Sequence, residues 1–319
     1  MVSERSVAVV IPSWNSAGLL PRCLDSLADQ GAELELMVVD NGSSDGSLEL
    51  LRERGVPHVS LPRNVGFAAA VNLGAARTES PAVLALNADT ALEPGCVGRL
   101  AEALAADDGL GGVQPRILQL EAGGEGAPDA ARLYSRGMAL SRDGRAFEEG
   151  AGEAQDSRSA TAREIFGVCG AACLLRRELF ERLGGYDERY FAFYEDVDLN
   201  VRARIAGWRF AYVPEAVVWH VGNASWQAEA PSPSAWNARL VARNRLATQA
   251  KFVPARALPR IAAVEAGALA RAAGQRRLWA TLSGKLAVLR WLPALLRERR
   301  RLRYEGDLGL VRRWLGVKS

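Results

Sequence analysis

The chain has 319 residues, of which 49% are hydrophobic and 24% are charged, and this composition excludes a disordered or fibrous protein. No uninterrupted apolar stretch reaches the roughly 18 to 20 residues that span a bilayer, so we do not expect an integral membrane protein. The four cysteines form no CxxC pair and no cleavable apolar leader follows Met1, which together predict a reducing, cytoplasmic location.

The formal net charge of +3 is unevenly distributed. Residues 1–250 contain 24 Lys and Arg against 33 Asp and Glu, a net charge of −9, whereas residues 251–319 contain 16 against 4, a net charge of +12. Large apolar residues recur among the basic ones in a pattern typical of amphipathic helices: Trp279, Leu282, Leu286, Leu289, Trp291, Leu292, Leu295 and Leu296. This tail therefore predicts binding to an anionic membrane surface. Nucleic acid is the alternative partner of the run RERRRLR, but we find no base-reading motif and expect no nucleic-acid binding.

Strands and helices alternate through the first hundred residues. Short β-branched runs predict strands in VAVVIPSWN, LELMVVD, VPHVSLPRN and PAVLALNADT, and apolar residues at helical spacing predict a helix after each of them. This alternation predicts an α/β fold with a Rossmann-like, mostly parallel sheet flanked by helices. Ligands of such sheets bind beyond the carboxyl ends of the strands. Polar clusters at 12–15, 40–45, 63–66 and 87–90 fall at that edge, which makes it the candidate site.

The rest of the chain divides into three predicted segments. Residues 121–160 are rich in Gly, Ala and Glu without apolar periodicity, which predicts a mobile insertion. Regular structure resumes near Phe166, with a strand pair predicted in WRFAYVPEAVVWHVG and a helix over 235–252. We therefore expect one domain over 1–250 and a basic, amphipathic helical extension over 251–319.

Several motifs follow one another in a fixed order over residues 6–250. They are VVIPSWN, VVDNGSSDGS, PRNVGFAAAVNLGA, LALNADT, the long stretch from GAACLLRRELF to AVVWH, and RNRL. Together they resemble family 2 glycosyltransferases of the GT-A fold, especially the branch with bacterial rhamnosyltransferases. The resemblance implies an inverting transfer of a sugar, for example L-rhamnose, from a dTDP- or UDP-linked donor to a saccharide or polyprenyl-diphosphate-linked acceptor. It also implies a peripheral enzyme of cell-surface polysaccharide synthesis on the inner face of the membrane.

The resemblance places the donor nucleotide against the ends of the first two strands. In the family, the turn after the first strand and the Asp that ends the second hold the base and ribose, which here are Pro12, Ser13, Asn15 and Asp40. A carboxylate at a strand end accepts hydrogen bonds from ribose hydroxyls, so the assignment is chemically reasonable. The alternative is that Asp40 belongs only to a turn.

A Gly/Ala-rich helix follows in PRNVGFAAAVNLG, and the resemblance places it beside the donor. Its polar residues Arg63, Asn64 and Asn72 are the candidate contacts. For Arg63, the alternative is that it is only a charged surface residue and does not contact the nucleotide.

The motif Asn87-Ala88-Asp89 takes the place of the Asp-x-Asp that many relatives use to hold Mg2+ or Mn2+ against a diphosphate. An Asn offers only a neutral oxygen, so charge on the metal falls to Asp89 and weaker metal affinity is expected. The resemblance assigns His220 as a further metal ligand. The alternatives are an Asx turn for the motif and a structural role for the histidine.

The stretch YFAFYEDVDL, residues 190–199, places carboxylates directly behind aromatic residues. A helix that begins near Tyr194 would bury Val197, Val201 and Ile205 and would pair Asp198 with Arg202 at the surface.

Glu195 and Asp196 then fall in the first turn of this helix, where its dipole favours ionised carboxylates. An inverting transfer needs a base for the acceptor hydroxyl, and the family assigns that role to the Asp of the Glu-Asp pair, here Asp196. Glu195 and Tyr194 would orient the acceptor. Helix capping is the alternative.

Arg243 in RNRL resembles an Arg of the family that faces a phosphate of the donor or acceptor, and a structural role is equally open. Two other functions remain. A sugar-phosphate nucleotidyltransferase would show a Gly-rich, basic triphosphate loop, which IPSWNSAG lacks. A non-catalytic nucleotide-sugar-binding module of a glycan assembly complex would keep the fold without turnover.

Overall fold

The first third of the chain forms alternating strands and helices in the predicted order. In the computed structural model, which describes residues 6–120, 131–141, 144–222, 233–253 and 257–305, these elements are β1 (Ser6–Ser13), α1 (Leu20–Asp25), β2 (Glu33–Asp40), α2 (Ser47–Glu53), β3 (His58–Ser60), α3 (Phe67–Ala75), β4 (Ala82–Leu86), β5 (Thr90–Leu92) and α4 (Cys96–Ala105). Val7, Val9 and Ile11 of β1 pack into one apolar cluster, whereas Ala8 and Val10 pack into another. Successive side chains of a strand point to opposite faces, so both faces of the sheet are covered.

The second part of the chain adds strands on the other side of the sheet. Its elements are β6 (Leu110–Gln119), β7 (Leu133–Ser135), β8 (Met138–Leu140), β9 (Ala146–Glu148), β10 (Arg163–Ile165), β11 (Ala172–Arg176), α5 (Arg177–Arg182), a 3₁₀ turn (Glu188–Tyr190), α6 (Glu195–Ile205) and β12 (Arg209–His220). The predicted strand pair near the end is one long strand, β12, whose register with β6 shifts between Val213 and Val217. Pro214 lies in this interval and has no N–H to donate, which accounts for an irregularity rather than a turn.

The central sheet confirms the α/β fold flanked by helices. Its strand order is β10-β12-β6-β11-β4-β1-β2-β3, with β5 paired to β12 and β7 to β6. The strands β4, β1, β2 and β3 are parallel, as predicted. Beyond them the sheet is mixed, because β11 runs antiparallel between β4 and β6.

The predicted insertion, residues 121–160, is folded in most of its described part. Residues 131–141 and 144–160 include β7, which joins the central sheet, and the hairpin of β8 and β9. Met138 and Leu140 pack against α6 residues in a separate apolar cluster. The sequence showed no periodicity here because each strand has only three residues. Mobility of the segment stays a prediction.

The helix predicted over 235–252 is α7 (Pro233–Phe252). The described part of the basic extension is helical, as predicted, with α8 (Leu258–Gly274), α9 (Leu278–Ala287), a 3₁₀ turn (Val288–Arg290) and α10 (Leu292–Glu305). Val288 and Leu295 pack with Tyr190 and Ala247 in one buried cluster, so the extension contacts the preceding fold directly. The boundary predicted after residue 250 falls inside α7. Among the described residues, no helix has both the length and the hydropathy needed to cross a bilayer.

Candidate active site

A cavity of about 320 Å³ opens at the carboxyl ends of β1 and β4. It lies at the sheet edge where ligands of α/β folds bind. Nine of the residues proposed from the sequence line it: Pro12, Ser13, Asn64, Asn87, Asp89, Tyr194, Glu195, Asp196 and His220. The candidate metal ligands Asp89 and His220 and the candidate base Asp196, which follows Asp89 by more than a hundred residues, therefore share one cleft.

Two buried polar atoms without partners among the described residues lie at the ends of β1 and β2: one belongs to Ser13 in the cavity wall, and the other belongs to Asp40, which does not line the cavity. Ser13 and Asp40 are neighbours in the parallel register of these strands, and both are almost fully buried. Within the described part of the chain, Ser13 Oγ and Asp40 Oδ1 have no hydrogen-bond partner. Because a buried polar atom without a partner is costly, these two atoms point to a polar ligand.

Four other residues proposed for the nucleotide or phosphate site do not line the cavity. Asn15 has a left-handed backbone (φ 49°), and its Oδ1 accepts a hydrogen bond from Ser44 N at 2.8 Å, so it fixes the turn after β1. Arg63 is exposed. Asn72 bonds the backbone of Tyr186 through both ends of its amide.

Arg243 also lies outside the cavity lining. Its Nη2 donates to Tyr190 O at 2.8 Å, and its guanidinium lies over the ring of Trp291, 4.7 Å from the ring centroid. Burial lowers its pKa to about 10. The structure therefore gives Arg243 structural contacts rather than a place in the cleft.

Asp89 and His220 form a close, buried pair in the cavity wall. The antiparallel register of β5 and β12 sets His220 opposite Thr90 and next to Asp89, with 3.1 Å between His220 Nε2 and Asp89 Oδ1. Asn87 Nδ2 is 3.3 Å from the same nitrogen. Two adjacent ligands of a six-coordinate ion with bonds of about 2.1 Å lie roughly 3 Å apart, so this pair fits a shared cation.

A second cluster of potential ligands lies in the same cavity. Atoms of Glu148, Cys169 and Asp196 lie within 4.8 Å of one another. Burial, followed by the nearby Asp196, raises the pKa of Glu148 to about 8, and burial raises the pKa of the Cys169 thiol well above its usual value. Protonated carboxyl and thiol groups are poor ligands for Mg2+ or Mn2+, so the Asp89 and His220 pair fits the expected ion better.

Helix α6 begins with the two candidate catalytic carboxylates. Asp196 accepts hydrogen bonds from Gly170 N at 2.9 Å and from Val197 N at 2.7 Å. Glu195 is buried, and its Oε2 has no partner in the described part of the chain. Burial raises the pKa of Asp196, and burial together with Asp196 raises the pKa of Glu195 well above its usual value. The helix dipole, which was expected to favour ionised carboxylates, is therefore opposed by desolvation at both residues. The backbone hydrogen bonds favour Asp196 as the ionised member of the pair.

The remaining expectations for α6 have mixed outcomes. Val197, Val201 and Ile205 form the predicted buried stripe. The predicted ion pair of Asp198 with Arg202 is formed, but its predicted surface location is wrong, because Asp198 is fully buried. Its Oδ2 accepts from Arg202 Nε at 2.6 Å, and its Oδ1 accepts from Lys251 Nζ at 2.6 Å. The second cation, Lys251 of α7, is distant in sequence, and its charge offsets the desolvation cost of burying Asp198.

Several residues of the cavity wall were not proposed individually from the sequence. Trp14 and Asn41 lie within the predicted polar clusters, whereas Tyr134, Glu148 and Cys169 lie outside them. Tyr134 and Glu148 come from the short strands of the supposed insertion. The ring of Tyr134 packs edge-on against His220, with 4.4 Å between ring centroids. The sequence signal that could have identified Tyr134 and Glu148 was the presence of charged and aromatic residues in a segment without apolar periodicity.

Comparison with known proteins places the chain in a family. The family described as "Glycosyl transferase family 2" matches residues 8–184. The N-acetylglucosaminyl-diphospho-decaprenol L-rhamnosyltransferase of Mycobacterium tuberculosis (strain ATCC 25618 / H37Rv) is 30% identical over 236 residues, covering 66% of this chain and 75% of that protein. An N-acetylglucosaminyltransferase of Mesorhizobium japonicum is 32% identical over 66% of this chain, which spans only 50% of that longer protein.

Solved structures share the fold at low sequence identity. GalNAc-T7 with UDP, GalNAc and Mn2+ aligns with a TM-score of 0.56 and 18% identity, covering 77% of this chain and 51% of that one. A mannosyltransferase from Pyrobaculum calidifontis in complex with GDP-Man and Mn2+ aligns with a TM-score of 0.50 and 19% identity, covering 94% and 85%. With the family match over more than half of its length, this chain belongs to glycosyl transferase family 2 and is a glycosyltransferase of the GT-A fold.

Proposed function

We propose that the enzyme transfers a sugar, with inversion, from a nucleoside-diphosphate donor to a lipid-linked saccharide acceptor in cell-surface polysaccharide synthesis. The observation that carries this proposal is that Asp196 and the Asp89 and His220 pair line one cavity. A base and a cation-binding pair in the same cavity would hold the reacting sugar between them. L-Rhamnose, from a dTDP- or UDP-linked donor, is the proposed sugar because the mycobacterial relative is an L-rhamnosyltransferase.

The charges of the cavity favour a metal-dependent reaction with Mg2+ or Mn2+. Its described lining contains the carboxyl groups of Asp89, Glu148, Glu195 and Asp196 but no Lys or Arg. A donor diphosphate brings further negative charge, and a bound cation would balance it. Asp89 and His220 would hold the ion, which would stabilise the charge of the departing nucleoside diphosphate. Both solved relatives described above contain Mn2+.

The chemistry of this chain centres on Asp196. Its hydrogen bonds from Gly170 N and Val197 N fix the carboxylate and favour its charged form. In that form it would accept the proton of the acceptor hydroxyl as the hydroxyl oxygen attacks the anomeric carbon. The buried Glu195 would hydrogen-bond an acceptor hydroxyl, and Ser13 and Asp40 would satisfy the donor nucleoside.

Donor binding provides a direct test of the nucleotide end. Addition of dTDP- or UDP-linked sugars with Mn2+ is expected to raise the melting temperature, since a ligand at 100 times its Kd stabilises the folded state by about 2.7 kcal/mol. An Asp40→Asn variant is expected to need at least tenfold more donor for the same shift, because the negative charge is lost and one acceptor oxygen is replaced by an NH2 donor. A thermal-shift titration measures both. If nucleoside triphosphates and sugar 1-phosphates raise the melting temperature and nucleotide-linked sugars do not, the nucleotidyltransferase alternative is favoured.

Turnover separates an enzyme from a non-catalytic binding module. Purified protein with donor and Mn2+ is expected to release nucleoside diphosphate, slowly by hydrolysis and faster with a prenyl-diphosphate-linked saccharide. Coupled detection of the nucleoside diphosphate measures the rate. Donor binding without any release under both conditions would support the binding module.

We further propose that the C-terminal helices bind the anionic inner face of the cell membrane. Four large apolar side chains are exposed there, with relative exposures of 81% for Trp279, 64% for Leu286, 62% for Leu289 and 43% for Leu296. Exposed arginines, including Arg276, Arg290 and Arg297, lie in the same segment. Exposed apolar side chains among cations are the pattern of an interfacial helix.

Replacing Trp279 and Leu289 together by Ser is expected to reduce co-sedimentation with anionic vesicles strongly, since each buried large apolar side chain contributes about 1.5 to 3 kcal/mol. Neutral vesicles and Leu258→Ser, an exposed leucine outside this group, serve as controls. Equal pelleting of the double variant and the unmodified protein would contradict the proposal. Deletion of residues 278–319 is a poorer test, because it removes Val288 and Leu295 from a buried cluster.

A further inference from the structure

The loop that leads into α6 has a strained backbone. Phe191, Phe193 and Tyr194 all have positive φ, at 67°, 67° and 71°. Phe191 also has ψ −66°, and Ala192 N donates to Tyr190 O at 2.8 Å, which closes a rare three-residue turn. Bulky residues adopt such conformations only where surrounding contacts enforce them. Since Asp196 follows this loop within two residues, whatever holds the loop also sets the position of Asp196.

A buried amide of α7 contacts three carbonyl oxygens of the loop. Asn244 is fully buried, and its Nδ2 lies 2.8 Å from Tyr190 O, 2.8 Å from Ala192 O and 2.7 Å from Phe193 O. Tyr190 O also accepts from Arg243 Nη2 and Ala192 N, so removal of the amide would cost mainly Ala192 O and Phe193 O a donor in a buried position. Asn244 therefore stabilises the strained conformation specifically.

The C-terminal helices contact this amide indirectly, through Arg243. Arg243 donates from Nε to Asn244 Oδ1 at 2.9 Å, and this bond fixes the orientation of the amide. The guanidinium of Arg243 lies over Trp291. Val288 and Leu295, on either side of Trp291, pack in the cluster that contains Tyr190. The contacts thus run from the C-terminal helices through α7 to the loop.

We propose that Asn244 and Trp291 are positioning residues for the transfer reaction: they hold residues 190–194 in the conformation that places Asp196 in the cavity. The basic extension is then part of the active-site support as well as a membrane-binding segment. This inference rests on the proposed role of Asp196 as the base.

The test uses full-length protein without vesicles and compares matched variants. Trp291→Ala is paired with Trp279→Ala, because both remove one tryptophan of the extension but Trp279 is exposed. Asn244→Ala is paired with Thr248→Val, one turn further along α7, which removes the buried 2.9 Å hydrogen bond to the Tyr190 hydroxyl but leaves the carbonyl contacts intact. For each protein, the measurements are kcat and KM for donor hydrolysis, the melting temperature, and hydrogen exchange of residues 190–197.

Asn244→Ala and Trp291→Ala are expected to lower kcat by about tenfold to a hundredfold, since small misplacements of a reacting group cost that much. The KM for the donor should stay within about twofold, because the nucleotide end lies on other strands, and exchange in residues 190–197 should rise. Trp279→Ala and Thr248→Val should leave kcat and the exchange unchanged.

Unchanged kcat and exchange in Trp291→Ala, or equal losses in both tryptophan variants, would overturn the proposal. A fall in melting temperature with equal changes of kcat and KM would show a merely structural role and would also overturn it. The hydrogen-exchange result does not depend on the identity of the base. If Asp196→Asn retains turnover while Asn244→Ala still raises hydrogen exchange in residues 190–197, the assignment of the base is wrong. The role of Asn244 in holding the loop is then still supported.

Discussion

An Asp196→Asn variant is expected to lose turnover by about 10²- to 10⁴-fold, the contribution of a positioned general base. The amide has nearly the same shape as the carboxylate, and its oxygen can still accept from Gly170 N, so the fold and the cavity should persist. It cannot take a proton from the acceptor hydroxyl. Donor affinity should therefore remain, and the loss should appear in kcat measured with donor, Mn2+ and acceptor.

Glu195→Gln is the matched control for this prediction. It changes the neighbouring carboxyl group in the same turn of α6, and a Glu that only binds the acceptor should affect KM for the acceptor more than kcat. If the Gln variant loses turnover as strongly as the Asn variant does, the base cannot be assigned to Asp196. Normal turnover of Asp196→Asn would remove that residue from the mechanism altogether.

Removal of the cation, or of the residues proposed to bind it, is expected to have the second large effect. Chelation should abolish transfer reversibly. Asp89→Asn should raise the Mn2+ concentration for half-maximal activity at least tenfold and lower kcat by roughly 10²-fold, because stabilisation of a departing anion typically contributes that much. His220→Ala should act in the same direction. Both effects are measured by metal titration of the initial rate, with calorimetry of Mn2+ binding as a readout independent of turnover.

Glu148→Gln tests the competing cluster. Because Glu148 holds its proton up to a pKa of about 8, it should contribute little to cation binding at neutral pH, and the metal dependence of the variant should match that of the unmodified protein. A larger change in metal affinity in Glu148→Gln than in Asp89→Asn would move the metal site to Glu148, Cys169 and Asp196.

Much of the fold and part of the site follow from local sequence rules. The buried strands of the first third and the helical spacing after each are local patterns, and they placed Ser13, Asn87 and Asp89 at the correct edge of the sheet. The Glu-Asp pair was placed at the start of a helix by the regular apolar stripe, and its catalytic role was implied by the family resemblance. These signals need no knowledge of distant contacts.

Other features depend on pairs of residues far apart in sequence. The burial of Asp198 requires Lys251, 53 positions later, to supply its counter-charge. The raised pKa of Asp196 comes from desolvation by the whole cavity wall, which the local helix dipole could not reveal. Likewise, Asn72 and Arg243 looked like ligand-binding residues, and only the tertiary contacts with Tyr186 and Tyr190 gave them other partners.

The antiparallel strand β11 has a consequence for synthesis of the protein. It fills the gap between β4 and β6, yet residues 172–176 are translated more than fifty positions after either neighbour has ended. Until β11 emerges from the ribosome, β4 lacks the strand that covers its second edge, and Gly112 and Val113 of β6 lack their partners. Unpaired strand edges promote association with other chains. Chaperones that shield extended segments should therefore matter most for this enzyme during translation of its second half.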